Sequence, residues 1–195
     1  MLPNSASQVL ALSLCAAAFL ADHSHALQDF DRVAYLKAHN TDSPDFFGRG
    51  VDMSGDTVVV GAAGEDELLT GAAGGGFNND GWNVGAVYVF VPGPTGWTQQ
   101  AYLKPSQPVT VLNFGTTLSL DEHTLIVGTP VGPPSGAAYI FHRTGSTWTE
   151  EARLVSPTVI QHWEHAGFGY SVAISGDTAV VSEPYIELGG LHLSL

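Results

Sequence analysis

Apolar residues in this chain come in short bursts. Val58-Val59-Val60, Leu125-Ile126-Val127 and Ala179-Val180-Val181 each follow a polar turn. Each turn in its place follows another short run, containing Val51 and Met53, Leu118 and Leu120, or Val172 and Ile174. These runs are rich in β-branched and aromatic residues, are bounded by Gly, Ser, Asp and Pro, and sustain no helical period, so they predict strands. The turn Ser54-Gly55-Asp56-Thr57 recurs as Ser175-Gly176-Asp177-Thr178. Glycine supplies positive φ in a two-residue hairpin turn, and aspartate can bond the backbone beside it. The second copy turns through Asp121-Glu122-His123 without glycine, which predicts backbone strain or a different turn.

A third run follows each hairpin: Gly85-Ala86-Val87-Tyr88-Val89-Phe90, Gly136-Ala137-Ala138-Tyr139-Ile140-Phe141, and a degraded copy at residues 190–195. A fourth opens at Trp97 and again at Trp148, and Phe30-Asp31-Arg32-Val33-Ala34-Tyr35-Leu36 repeats it ahead of the first unit. Phe47-Gly48, Phe114-Gly115 and Phe168-Gly169 open the three copies. The chain is therefore all-β, with four-stranded antiparallel units repeated about three times, which predicts the blades of an incomplete β-propeller. A β-sandwich would account for the strands and turns but not for their recurrence in register. The units fall at residues 47–103, 114–154 and 168–195, the last partial, with residues 30–46 holding an orphan last strand. That orphan and the missing fourth strand of the last unit are complementary, so either the N-terminal strand closes the last blade or further sequence does. Otherwise open edge strands would favour self-association.

Phe168-Gly169-Tyr170-Ser171 with its following hairpin, and Val58-Val59-Val60-Gly61-Ala62-Ala63, resemble the FG-GAP repeat found in integrin α-chain propellers and in many secreted proteins. The resemblance covers residues 30–195. The Gly-Ala-Pro position reads Gly128-Thr129-Pro130 in the second copy and Ser182-Glu183-Pro184 in the third, a departure that suggests relaxed blades. Seven blades of ~50 residues would need about twice this chain. The resemblance implies adhesion or ligand recognition. Integrin-type repeats also carry an acidic Ca²⁺ loop between the first two strands, but the three short turns here cannot supply six to eight oxygens.

Residues 1–26 read as a secretory signal peptide, with an apolar run at residues 9–21 and small residues around Ser24-His25-Ala26. That run is shorter than the ~20 residues of a membrane span. The mature part, residues 27–195, is expected to be secreted or displayed at the cell surface. The one cysteine, Cys15, lies in the apolar run, so the mature part has no disulfide framework. A formal net charge of −13, with six Lys and Arg in total, argues against nucleic acid as a partner.

The first repeat is longer than the second: Phe47 and Phe114 lie 67 positions apart, Phe114 and Phe168 only 54. The excess is an inserted loop at residues 64–83, with Glu65, Asp66, Asn78, Asn79 and Asp80 around a glycine-rich tract. Those five residues are the candidate ligands for a Ca²⁺ ion, set against the reading of a solvated surface loop whose ordering costs entropy. Trp82 has no counterpart in the other repeats, and with Asp66 it is the candidate contact for a partner. Trp97, Trp148, Tyr88, Tyr139, Phe90 and Phe141 recur at equivalent places and are expected in the packing between blades. His162-Trp163-Glu164-His165 lacks a third ligand and the helical spacing of a zinc protease.

No nucleophile elbow, phosphate loop or convergent acid and base set is present, so the chain is expected to be no enzyme. Two readings stay open. One is a non-enzymatic extracellular module whose loops contact a protein or a glycan. The other is a propeller domain or fragment accessory to a secreted enzyme, with the chemistry elsewhere.

Overall fold

The computed structural model describes residues 34–40, 42–68, 81–132, 135–157 and 167–184. The chain divides into Met1–Lys37, of which only residues 34–37 are described, and Ala38–Leu195, which holds every described strand. The signal peptide, most of the orphan strand and the degraded strand at 190–195 lie outside the described residues. Residues 34–38 carry no regular secondary structure.

Blade 1 is a meander of β1 (Phe47–Ser54), β2 (Thr57–Ala62), β3 (Ala86–Gly93) and β4 (Gly96–Leu103). Blade 2 repeats it with β5 (Thr117–Asp121), β6 (Thr124–Thr129), β7 (Ala137–Thr144) and β8 (Thr147–Leu154). A third hairpin, β9 (Val172–Ser175) with β10 (Thr178–Val181), opens blade 3. All neighbouring strands are antiparallel. The second strand of each full blade is the most buried, as its unbroken apolar run requires. Both full blades carry a bulge between the third and fourth strands, where β3 meets β4 at Val89/Phe90 and β7 meets β8 at Ile140/Phe141. In blade 1 the extra residue is Gln100, and its amide oxygen accepts the indole N–H of Trp148 in blade 2 at 3.1 Å. The bulge thus re-aims a polar side chain at the next blade.

Blade 1 and blade 2 meet face to face over a common core. Val59, Val87, Val89 and Leu103 come from blade 1, and Phe114, Leu120, Leu125, Val127, Tyr139, Phe141 and Trp148 from blade 2 and the connection leading into it. In the two full blades the phenylalanine of the Phe-Gly pair sits edge-on to two aromatics of its own third strand: Phe47 to Tyr88 and Phe90, Phe114 to Tyr139 and Phe141. Tyr88, Phe90, Tyr139, Phe141 and Trp148 are therefore core, as their recurrence at equivalent places predicted. Trp148 is buried, whereas Trp97 at the same place in blade 1 is half-buried.

Backbone contact between glycines sets how closely the blades approach. Phe114 bridges Gly85 in parallel, with its N–H donated to Val84 O at 3.0 Å; Phe168 bridges Gly136 likewise, with Ser135 O as acceptor at 3.0 Å. A Cβ added to Gly61 would be driven into Gly115 O, and one added to Gly128 into Gly169 O. The motif glycines Gly115 and Gly169 both have φ of +89°, open to glycine at little cost.

A second joint is made by side chains on the first strands. Asp52 Oδ2 accepts Leu120 N–H at 2.8 Å, and Ser119 Oγ, one repeat on, accepts Ile174 N–H at 3.3 Å. Ser54 Oγ accepts Glu122 N–H at 3.0 Å, and Asp121 Oδ2 accepts Gly176 N–H at 2.6 Å. Each blade thus fastens the next one's hairpin turn by its backbone. The turn without glycine keeps the same geometry as its neighbours: φ is +50° at Glu122, +55° at Gly55 and +52° at Gly176. It holds a left-handed residue with a Cβ, at a cost of about 1 kcal/mol.

Gly61→Ala is expected to lower stability by about 3 kcal/mol through overpacking against the Gly115 backbone. Gly55→Ala, with open space around its Cβ but φ of +55°, should cost only about 1 kcal/mol. Urea unfolding of the two variants measures the difference. In the same assay Glu122→Gly should raise stability by up to ~1 kcal/mol, since it removes left-handed strain while keeping the N–H that Ser54 accepts.

Candidate functional site

The inserted loop and its surroundings hold the least ordinary chemistry in the molecule. Both stems of the loop are pinned by main-chain hydrogen bonds: Gly81 N–H to Asp66 O at 2.6 Å and Gly85 N–H to Glu65 O at 2.8 Å. The next connection, between β4 and β5, is tied to the second stem. Val111 N–H donates to Trp82 O at 2.6 Å and Asn113 N–H to Asn83 O at 2.8 Å.

The sequence-predicted site residues therefore part company. Trp82 projects from a fixed stem and is 67% exposed. Val109 and Val111, on the connection tied to that stem, and Val131, beyond the end of β6, are exposed at the same end of the blades. Asp66 Oδ1 accepts Asn83 N–H at 2.7 Å, which closes the loop base. Glu65 is 1% exposed and turned into the protein, where Oε2 accepts Asn40 Nδ2 at 2.7 Å and lies 3.0 Å from the Tyr88 hydroxyl oxygen. Asn78, Asn79 and Asp80 lie outside the described residues. Among the described residues, no three His, Cys, Asp or Glu side chains are grouped to hold a metal ion.

Around Glu65 lies a buried polar cluster that the spacing of residues did not reveal. Tyr88 OH donates to Asn40 Oδ1 at 2.6 Å. Glu67 and Lys104 are 1% and 2% exposed, and Lys104 Nζ has no hydrogen-bond partner. Burial lowers the Lys104 amine to about 8, against the pull of Glu65 first and then of Glu67, Asp66 and Asp45. Burial likewise pushes the phenols of Tyr88 and Tyr102 well up, with Glu65 adding to both. Glu67 acts on the Tyr102 hydroxyl, although that hydroxyl makes no hydrogen bond of good geometry. Asp45 is raised, chiefly by burial. His39 stands edge-on to Tyr88 and Tyr102 at 6.1 and 5.9 Å. The only advance signal was Lys104 itself, one of six cations in the chain, at the end of a strand beside an acidic insertion.

A separate groove of about 640 Å³ lies at the opposite, hairpin-turn end of blades 1 and 2, lined by Asp56, Pro92, Glu122, His123 and Arg143 among others. Arg143 is largely spent on structure, donating to Thr57 Oγ1 at 2.8 Å and lying 5.3 Å from the Trp148 ring.

Four-stranded meanders stacked face to face, with Phe-Gly of one seated on glycines of the one before, define a repeat protein of propeller blades. The FG-GAP repeat family matches residues 30–90, 97–141 and 148–191, and the chain belongs to that family. No curated protein matches the chain.

Asp66→Ala is expected to free Asn83 N–H and loosen the loop base by about 1–2 kcal/mol. Hydrogen exchange should show faster exchange at Gly81, Asn83 and Val111, with the amides of β6 unchanged.

Proposed function

We propose that the chain is a non-enzymatic extracellular interaction module, which recognises a protein or glycan through the loops at the Trp82 end of its blades. The observation that carries this reading is Trp82: a large aromatic, two-thirds exposed, on a stem whose main chain is fixed at both sides. A rigid exposed indole offers contact area with little entropy to lose on binding. Val109, Val111 and Val131 extend the apolar surface, and the chain's acidic balance favours a neutral or basic partner. Secretion through residues 1–26 would bring the module to such partners.

Adhesion of cells to surfaces coated with the purified chain is the test. Trp82→Ala should weaken adhesion at least tenfold, as expected of a central aromatic contact, while changing stability by less than ~0.5 kcal/mol. Wild-type coating that retains no cells, or adhesion indifferent to Trp82→Ala, overturns the reading.

A further inference from the structure

We propose that Lys104 and Asn40 join in an intramolecular isopeptide bond, Nζ to Cγ, with loss of ammonia and with Glu65 carrying the proton. A purely structural reading of the buried cluster leaves one group unexplained. Lys104 Nζ is 98% sheltered and makes no hydrogen bond, although four carboxylates act on it. An ammonium held in that way costs several kcal/mol. Conversion to an amide removes the charge and the cost together.

The other groups of the cluster are arranged as that reaction needs. Asn40 is 6% exposed, so water is kept from the carboxamide. Tyr88 OH donates to its oxygen at 2.6 Å, at the atom where negative charge develops when an amine adds to Cγ. Glu65 Oε2 accepts its Nδ2 at 2.7 Å, next to the group that must leave. Lys104 Nζ lies 5.5 Å from the Tyr102 ring, itself 5.0 Å from the ring of Tyr88, which brings the amine to the end of the cluster that holds Asn40 and Glu65. Burial favours the free amine, which is the nucleophile.

The step balances without a co-reactant. The lone pair of Lys104 Nζ forms the bond to Asn40 Cγ, and the oxyanion is held by Tyr88. Glu65 takes the proton from the attacking nitrogen and gives it to Nδ2. The Cγ–Nδ2 bond then breaks, and ammonia departs with its electron pair. No atom is oxidised or reduced. The product ties the end of β4 to the segment ahead of β1, a covalent brace across the first blade.

Intact mass of the purified full chain, with its N-terminus determined, is the test. The wild-type chain should fall short of its sequence mass by one ammonia, and a protease digest should contain one peptide pair joined through Lys104 and Asn40. Glu65→Gln, which keeps the shape but cannot carry the proton, should show its full sequence mass. Asn40→Asp should lose one water instead, which tests the acyl partner even if Lys104→Met does not fold. A wild-type chain at full mass, with Lys104 and Asn40 recovered in separate peptides, overturns the proposal. So does loss of water in the wild type, which would place the bond on a carboxylate, or loss of ammonia with no joined pair.

Discussion

Contact between glycine backbones at the blade joint is the constraint on which the rest of this structure depends. Gly61 and Gly128 lie where a methyl group would strike the Phe-Gly carbonyl of the following repeat, and Gly85 and Gly136 take a main-chain bridge from the following phenylalanine. Only with backbones this close can Phe114 reach Tyr139 and Phe141 while Val59, Val87 and Val89 close over the same core. The joint uses two unlike devices side by side. Apolar burial supplies most of the attraction, while Asp52, Ser54, Ser119 and Asp121 reach across to backbone N–H groups and fix the register.

Departures from the repeat are absorbed where a side chain can replace what glycine or alanine leaves out. Thr129, which stands where blade 1 has Ala62, is fully buried, with its hydroxyl reaching the carbonyls of Leu112 and Val131. In the third copy Ser182 replaces the glycine, and its main chain pairs with Gly169 and Ser171 of its own blade. Glu122 shows the limit of such tolerance: the hairpin keeps its left-handed residue because the flanking strands and Ser54 dictate it, not because glutamate favours it.

Blade 1 differs from blade 2 chiefly in what covers the end of its fourth strand. Tyr139 of blade 2 has Arg153 across the sheet, donating to its hydroxyl at 3.2 Å, and the residue after β8, Val155, is exposed. In blade 1 the matching positions are Tyr88 and Tyr102, and the residue after β4 is Lys104, buried beneath a stem that brings in Glu65 and Glu67. The insertion thus does two things. It presents Trp82 outward and closes a dry polar cluster inward, where each charge acts over a longer range than it would in water.

Strands, hairpins, the repeat itself and most of the aromatic core were legible in the residues themselves. Alternation and β-branched runs act locally, and a motif stated three times calibrates itself: Tyr88 and Tyr139, or Ser54 and Ser175, announce equivalent places. The strain at Glu122 was legible for the same reason, by comparison with its glycine-bearing copies. What the tertiary structure alone decided was the fate of residues without a counterpart. Glu65 and Asp66 are adjacent in an acidic loop and read alike, yet one is turned into the protein against Asn40 and Tyr88 while the other caps the loop base at Asn83. Asn40, Glu65, Tyr88 and Lys104 share no spacing or motif. They meet because four segments converge at one end of blade 1, and contact between distant segments leaves no periodic trace in a chain.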